Sequence, residues 1–423
     1  MTSINIIGQE GWTLTKLANL PKPTANNALT EALINNKKFV YSFGGISDSL
    51  YPQNIHQDVY KYEVSTNQWD SIVQIPDSLG KIGMGASFVD NKIYLIGGHY
   101  VDEDGNELTS NKVHVFNPFL DTFEVDAANL PTPTDNHVQS VWRDSLIYVI
   151  TGWSNTENIP DVQIYNPSFN SWTMGTSLPD NDLYMAFGAS GYILGDTIFY
   201  FGGVSGTTDF SATSHLRKGV INPDDPTDIN WVYVGQVNGI SSYRPACSGH
   251  KSTLFCFGGA PLAYNFNAID YTDSSIVNPM SRIIMYNSDT DNFNFVNTTL
   301  SGMDYRGMAK LGGGNWLVAG GIDSLQQVSN RTILLHNKEL SNIDEALQPP
   351  FFEVYEKDEH YLVLTENVGD ISVFDISGRK LYHSRKHLAD LKINKSYLES
   401  NILLFVYNDG SNVPVTRKVV LVK

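Results

Sequence analysis

An apolar run that ends on two glycines recurs through the first three-quarters of the chain. Unbroken apolar runs predict buried strands, and a glycine pair permits close backbone approach and an abrupt change of direction. The pairs recur at intervals of roughly 50 residues or slightly more, which is the spacing of a structural repeat. The six runs are VYSFGG (Gly44, Gly45), IYLIGG (Gly97, Gly98), IYVITG (Thr151, Gly152), IFYFGG (Gly202, Gly203), LFCFGG (Gly258, Gly259) and WLVAGG (Gly320, Gly321).

An aromatic position follows most of these runs, and a second ring comes seven residues later. The pairs are Tyr62 and Trp69, Phe116 and Phe123, Tyr165 and Trp172, and Tyr286 and Phe293, with Ile221 and Trp231 in the fourth unit. A period near 50 residues with four short strands per unit is typical of a propeller. The double glycine, the tyrosine and the tryptophan resemble the kelch repeat over roughly residues 10 to 340. This resemblance implies that the motif residues are structural.

The sixth unit lacks its tryptophan strand, because NRTILLHNKEL is followed by no such segment. The missing strand is found at the start of the chain, in GWTLTKLANLP with Trp12. Closure by an N-terminal strand removes exposed sheet edges. We therefore predict an all-β fold: residues 1–342 form a six-bladed kelch β-propeller with four antiparallel strands per blade.

The composition changes after about residue 340. Residues 343–350 are predicted to be a linker, and residues 351–423 a small immunoglobulin-like β-sandwich of short strands separated by turns. Residues 346–423 hold 10 basic and 10 acidic residues, so the net charge of −17 belongs to the rest of the chain.

The tail ISVFDISGRKLY, the strand NILLFVYNDG and the end TRKVVLVK resemble the C-terminal sorting domain of the type IX secretion pathway (Por secretion system) of Bacteroidetes. Asp375, Gly378 and Arg379 carry the most specific part of the resemblance. It implies that the secretion machinery is a partner and that the protein is extracellular or on the outer-membrane surface. The segment SNILLF departs from the family pattern, and MTSINIIGQEGW does not read as a signal peptide. An ordinary immunoglobulin-like domain is the alternative.

Loops that join blades and loops after the glycine pairs are expected to meet on one face. In blade two, Gly83 precedes the first glycine, Gly97, by the length of one hairpin. The same interval before the first glycine of each other pair, slightly longer in blades one and four, predicts the residues on this face, which include Asn27. The predicted ligand-binding rim consists of Arg244, Arg306, Tyr243, Tyr305, His137, Asn136, Tyr184, His99 and Trp153.

Two arginines in matching Tyr-Arg pairs are able to clamp a carboxylate or a sulfate, and the aromatic residues to stack on sugars or on protein side chains. The alternative is that both arginines are framework residues bonded to backbone carbonyls and neighbouring acids. The sequence thus favours a non-enzymatic module that binds protein or carbohydrate. A sialic-acid-type mutarotase, with His137 or His99 beside an arginine-bound carboxylate, is the alternative function. No cofactor is expected, and whether the protein is an enzyme stays open.

Other classes of partner have less support. DEDGNE, at Asp102 to Glu107, places carboxylates at alternate positions but lacks the full spacing of a calcium loop, so no metal is expected. The negative charge disfavours nucleic acid as a partner. No apolar run approaches the length of a transmembrane segment.

Cys247 and Cys256 lie on either side of a hairpin turn predicted at Lys251 and Ser252. In this register the cysteines face each other in a non-hydrogen-bonded pair, with Cα atoms about 4.5 Å apart. An oxidising compartment favours a disulfide. Against it, the bridge closes a short loop, and free cysteine is common in protein interiors, so both states stay open.

Overall fold

The computed structural model describes residues 6–7, 11–206, 210–236, 240–341, 352–365, 369–386, 391–398, 400, 402–408 and 415–420. The chain forms two compact units: Met1–Ile34 with Lys38–Asn342, and Asn35–Lys37 with Ile343–Lys423. The described residues are all-β apart from the short 3₁₀ turns Asp48–Leu50, Pro52–Asn54, Glu339–Ser341 and Lys395–Tyr397. None of their helices is long and apolar enough to cross a membrane. The linker expected at 343–350 lies outside the described residues.

The described part of the first unit contains six sheets of four or five antiparallel strands, formed in chain order. Each of sheets one to five is a meander in which strands a, b, c and d pair with their neighbours. The first sheet consists of Ala28–Ile34, Lys37–Ile46, Ile55–Glu63 and Gln68–Gln74, and the second of Ile82–Val89, Lys92–Val101, Val113–Asn117 and Thr122–Phe123, with Glu107–Thr109 paired to its strand b. The third consists of Val138–Trp142, Leu146–Ile150, Val162–Asn166 and Ser171–Met174, and the fourth of Phe187–Leu194, Thr197–Val204, His215–Asn222 and Asp225–Gln236. The fifth consists of Ala246–His250, Thr253–Phe257, Arg282–Asn287 and Asn292–Asn297. A separate two-stranded ribbon pairs Trp153–Ser154 with Glu157–Asn158.

The sixth sheet combines the two ends of the unit. Its strands Ala309–Gly312, Asn315–Ala319 and Thr332–Asn337 are followed by Trp12–Lys16 and then by Ile6–Ile7. Trp12 is fully buried, and its ring centroid lies 5.1 Å from that of Phe255. The N-terminal segment thus supplies the outer strands of this sheet.

The glycine pairs form the contacts between successive sheets. A Cβ atom on Gly97, Gly202, Gly258 or Gly320 would overlap a carbonyl oxygen of the loop before the next sheet. The same carbonyls accept hydrogen bonds from the second glycines: Gly98 to Thr134, Gly203 to Ser242, Gly259 to Gly302 and Gly321 to Thr24, at 3.1, 2.8, 2.9 and 2.8 Å. The last bond joins the sixth sheet to the first. The motif is therefore explained by close backbone approach between sheets.

The aromatic pairs lie directly opposite each other on strands c and d. Tyr62 faces Trp69, Phe116 faces Phe123, Tyr165 faces Trp172 and Tyr286 faces Phe293. Their ring centroids are 5.0, 5.1, 5.0 and 4.9 Å apart. In the fourth sheet the alignment of Ile221 with Trp231 is wrong by two residues. Trp231 instead opposes Gly219, whose missing side chain leaves room for the indole.

The second unit contains two sheets in its described part. One consists of Phe352–Glu356, His360–Thr365 and Leu391–Asn394, and the other of Lys380–Lys386, Gly369–Asp375, Ile402–Asn408 and Val415–Val420. Its core includes Phe352, Tyr361, Ile371 and Phe405, which are essentially inaccessible to solvent. Between two strands of the second sheet, Asp375 accepts backbone hydrogen bonds from Ser377 and Arg379 and pairs with the Arg379 guanidinium at 2.9 Å. Gly378 has a φ of +83°, which this turn requires.

The structure contains a disulfide between Cys247 and Cys256. The two residues are direct partners on strands a and b of the fifth sheet, with Cα atoms 4.1 Å apart. His250 pairs with Thr253, so the turn lies at Lys251 and Ser252. Both cysteines are buried.

We expect thiol titration of the denatured, unreduced protein to detect no free thiol, because both cysteines are in the disulfide. Reduction before titration should release two thiols, which serves as the internal control. Two reactive thiols without reduction would contradict the disulfide.

Candidate functional site

Six residues at the starts of the first strands form a hydrogen-bonded ring. They share positive φ angles between 49° and 72°. Backbone N–H groups of Asn136, Gly188, Arg244 and Tyr305 donate to the preceding carbonyls of the ring, and Asn26 donates to Asp304. The N–H of Gly83 donates to Asn26 Oδ1 at 2.7 Å and completes the circle. The ring residues are Asn26, Gly83, Asn136, Gly188, Arg244 and Asp304.

This ring corrects the alignment used to predict the rim. Arg244 and Arg306 are not equivalent, because Asp304 occupies the ring position in the sixth sheet. The hairpin there contains Gly312–Gly314 and a register shift, so the interval from Asp304 to Gly320 is two positions longer than that from Gly83 to Gly97.

The fourth sheet needs the opposite correction. The number of positions from the ring residue to the first glycine was expected to be larger in the fourth sheet, but it equals that in the second sheet. The ring residue before Gly202 is therefore Gly188 and not Tyr184. Tyr184 lies away from the ring: its carbonyl accepts a hydrogen bond from the Tyr200 hydroxyl.

Arg244 is a framework residue. It is 2% exposed, and its Nη1 lies 2.9 Å from Asp304 Oδ1. The same carboxylate oxygen accepts hydrogen bonds from Asn26 Nδ2 at 3.0 Å and from the Tyr264 hydroxyl at 3.3 Å. The guanidinium also lies over the ring of Tyr243, 4.8 Å from its centroid. Its charge is thus neutralised within the protein.

The loop 258–281 of the fifth sheet covers the rim. Its Tyr264 is fully buried and packs edge-on against Tyr243 at 4.9 Å. Its Tyr271 stacks on Phe210, which in turn contacts Trp153 at 5.8 Å. These aromatic residues join loops of three sheets. The expected open surface is therefore closed by apolar packing.

The remaining polar rim residues are buried, His99 and Asn136 beside Asp135 and Tyr305 beside Phe257. His99 Nδ1 lies 3.3 Å from Asp135 Oδ1, and Asn136 donates to the same carboxylate at 2.7 Å. Burial favours the neutral imidazole, but the charge of Asp135 outweighs it and raises the pKa of His99. Tyr305 is buried beside Phe257, with ring centroids 6.0 Å apart. These groups stabilise the fold rather than face solvent.

The loops on the rim face are acidic. The described residues of these loops, 47–54, 102–112, 151–161, 205–206, 210–214, 258–281 and 320–331, hold 10 Asp or Glu and two Lys or Arg. Lys112 pairs with Asp77 at 2.5 Å and Arg331 with Asp323 at 3.7 Å. In the DEDGNE segment the Asp102 carboxylate accepts hydrogen bonds from Asp104 N and Asn106 N, which accounts for it as a turn. Within the described residues no His, Cys, Asp and Glu group is placed to hold a metal.

A cavity of about 310 Å³ lies on the other side of the ring. Residues from the first strands of all six sheets, or directly before those strands, line it, so it occupies the central channel. It begins at His137 and Arg306, next to the ring, and extends to Asp144 in a hairpin turn at the far end of the strands. Its polar lining includes Glu31, Ser87, His137, Gln139, Ser190, Tyr192 and Arg306.

Arg306 crosses the closed end of this channel. Its Nη2 donates to the carbonyl of His137 at 2.8 Å, and its Nε donates to that of Met84 at 3.3 Å. It therefore links the sixth sheet to the second and third. Burial, with the charge of Arg244 nearby, lowers the pKa of Arg306 to about 10, so the guanidinium remains charged at neutral pH.

His137 and Gln139 continue the polar wall. His137 Nε2 lies 3.0 Å from Gln139 Oε1, and Gln139 Nε2 donates to Ser87 Oγ at 2.9 Å. Burial, reinforced by Arg306, lowers the pKa of His137 to about 4, so its imidazole is neutral at neutral pH. Burial also raises the pKa of the Glu31 carboxyl, whose Oε2 accepts a hydrogen bond from the Lys310 backbone at 2.9 Å.

Sequence reasoning missed Glu31, Gln139, Ser190 and Tyr192. For Ser190 and Tyr192 the available signal is the two-residue alternation of a strand, because they lie two and four positions after the ring residue Gly188. Arg306, two residues after Asp304, follows the same rule. Gln139 and Glu31 lie three and five positions after Asn136 and Asn26, so this alternation does not predict them. Of the predicted rim set, the structure brings only Arg306 and His137 to the cavity.

Residues 7–203 match the family profile described as the KLHDC2/KLHL20/DRC7 Kelch-repeats domain. Over these residues the first unit is similar to kelch-repeat domains. The solved structure of YjhT superposes on the chain with a TM-score of 0.60 and 14% identity, covering 82% of this chain and 99% of that one. At this identity the likeness concerns the fold alone.

Two curated relatives match shorter segments. Kelch-like protein 25 of Xenopus tropicalis is 24% identical over 229 residues, 52% of this chain and 35% of that protein. Beta-scruin of Limulus polyphemus is 24% identical over 158 residues, 36% of this chain and 16% of that protein. The matched part of the propeller thus spans about a third or less of each relative's length.

Arg244→Met should lower the free energy of unfolding by about 3–5 kcal/mol, because it leaves the buried Asp304 carboxylate without its cation. Urea unfolding of the full chain measures the loss. The matched control is Arg143→Met, which breaks an ion pair with Asp196 whose side chains are 50% and 35% exposed. That change should cost less than about 1 kcal/mol. Equal losses in the two variants would contradict a framework role for Arg244.

Proposed function

We propose that this protein is a six-bladed kelch propeller that acts as a non-enzymatic binding module and takes its ligand into the central channel. The observation that carries this proposal is the polar cavity of about 310 Å³, which is lined from all six sheets. Ligand pockets usually measure roughly 300–1,000 Å³, so the cavity suits a small molecule such as a monosaccharide unit. Carbohydrate therefore fits this site better than a folded protein does.

Six blades are supported by the six sheets, by the ring of six positive-φ residues and by the glycine contact between the last sheet and the first. The propeller interior then has two ends. The loop 258–281 and the buried Arg244–Asp304 pair occupy the rim end. The ligand entrance is proposed at the end where the hairpins between strands a and b lie.

A sugar-acid mutarotase is the second candidate. It is favoured by the environments of Glu31 and His137, because the pKa of the carboxyl is raised and that of the imidazole lowered. Such a pair is a candidate acid and base, with the carboxyl as the acid and the neutral imidazole as the base. An NMR anomerisation assay on sialic acid separates the two candidates, since a binding module leaves the rate of anomer exchange unchanged.

We also propose that the second unit is an immunoglobulin-like sandwich that directs export by the type IX pathway to the cell surface or the medium. Its two antiparallel sheets and buried core support the sandwich. The turn organised by Asp375, with Gly378 at positive φ, supports the motif as a rigid feature that a receptor is able to recognise.

Ser190→Phe should abolish ligand binding, because Ser190 lines the cavity and the added ring fills the channel. A glycan array probed with the full chain measures binding. Ser168→Phe, at an exposed turn of the third sheet, is the size-matched control and should bind as the wild type does. Binding that survives Ser190→Phe in a folded variant would place the ligand elsewhere.

Residues 346–423, fused to a signal peptide and a reporter, should deliver the reporter to the surface of a host with a type IX pathway. The Gly378→Val fusion should fail, because valine is strained at a φ of +83°. Protease accessibility of the reporter on intact cells measures delivery. Periplasmic retention of both fusions would refute the sorting proposal.

A further inference from the structure

We propose that the ligand carries an oxyanion, either a carboxylate or a sulfate, which binds the Arg306 guanidinium at the closed end of the channel. This proposal rests on the channel being the ligand site. The rest of the ligand is a hydroxylated body that lies along the channel. The group that anchors the ligand is therefore separate from the wall residues that select its shape.

Arg306 is a buried cation without a carboxylate partner among the described residues. It is 8% exposed, and its hydrogen bonds within that part of the chain go to two backbone carbonyls, which leaves Nη1 without a partner there. Buried charges in proteins are normally paired, since isolated ones are costly. Arg244, by contrast, is neutralised by Asp304. A guanidinium that lines a cavity is suited to an oxyanion, which it binds in a fork geometry.

The charge distribution of the propeller favours entry of an anion from the hairpin end. Residues 35–38, 90–92, 143–145, 195–197, 250–253 and 312–315 form the hairpins and hold five Lys or Arg and three Asp. The described residues of the rim loops include 10 acidic and two basic ones. Fields of this kind steer a charged ligand toward the end that carries the opposite charge.

The channel wall offers hydroxyl and amide groups for the ligand body. Ser87 and Gln139 are hydrogen-bonded to each other, which fixes the amide that lines the cavity. Burial raises the pKa of Tyr192, so its hydroxyl stays protonated and able to donate. Disulfide-bonded Cys247 contributes to the wall and adds rigidity. These groups suit hydroxyls of a sugar rather than an extended apolar chain.

Glu31 makes anion binding depend on pH. Around it lie Lys38 and Lys310, which favour the carboxylate, and Tyr192, whose pKa its charge raises. His137 and Arg306 line the same cavity. Burial raises the pKa of the Glu31 carboxyl above its usual value. Below that pKa the neutral acid donates to an oxyanion, and above it the carboxylate repels one, so affinity should fall as pH rises.

Isothermal titration of the full chain with glucuronate, glucose 6-sulfate and glucose tests the ligand class. We expect at least one of the two anionic sugars to bind about tenfold or more tightly than glucose, which corresponds to about 1.4 kcal/mol. The carboxylate and sulfate arms identify which oxyanion is preferred. Equal binding of all three sugars, abolished by Ser190→Phe, would overturn the anion site while the channel stands. Absence of binding below about 10 mM would overturn both.

Two variants test the roles of Arg306 and Glu31 in anion binding. Arg306→Gln should reduce the preference for the anionic sugar to about twofold or less. The control Arg282→Gln, on strand c of the fifth sheet and outside the cavity lining, should keep the preference. Glu31→Gln should retain binding but lose the pH dependence, because the amide donates at every pH. If Arg306→Gln does not fold, the pH profile of Glu31→Gln decides. A preference that survives in folded Arg306→Gln, or an unchanged pH profile in Glu31→Gln, would contradict the proposal.

Discussion

Backbone approach between neighbouring sheets is the constraint on which the propeller depends. The second glycine of four pairs donates to a carbonyl of the next sheet, and a side chain on the first glycine would overlap the same oxygen. A glycine pair therefore sets both the distance and the direction of the contact. In the third sheet Thr151 takes the first place with a φ of +49°, which shows that the backbone conformation is kept even without glycine. The repeated motif is a set of contacts between sheets rather than a set of sites.

The position of an inward side chain relative to the hydrogen-bonded ring then determines which groups it contacts. Arg244 lies in the ring and is paired with Asp304 from the neighbouring sheet. Arg306 lies two residues after the ring residue Asp304, where its guanidinium reaches across the axis to two carbonyls. Two arginines in identical Tyr-Arg pairs thus have different roles, because a shift of two residues along the chain moves a side chain from the ring into the channel.

Much of the fold could be predicted from the sequence, because glycine pairs, apolar runs and opposed aromatic residues are local signals. The register of the cysteine hairpin followed from its two-residue turn in the same way. The rim residues were harder to predict, because the alignment of the blades assigned the wrong lengths to some hairpins. The interval from ring residue to first glycine is 14 positions in the second and fourth sheets, 18 from Asn26 to Gly44 in the first, and 16 from Asp304 to Gly320 in the sixth. The loop 258–281 gave no periodic signal that it would cover the rim, because its packing depends on contacts such as Phe210 with Tyr271 that are distant in sequence.

The two ends of the channel differ because different parts of the repeat form them. At the rim, long loops after the glycine pairs vary freely in length, and here they carry acidic residues and aromatic packing that close the axis. At the other end, tight hairpins leave the channel open beside Asp144. Inward positions between these ends carry polar side chains that differ from one sheet to the next. Glu31, Gln139 and Arg306 occupy such positions. Recognition is therefore expected to depend on those residues, while the glycine pairs maintain the framework.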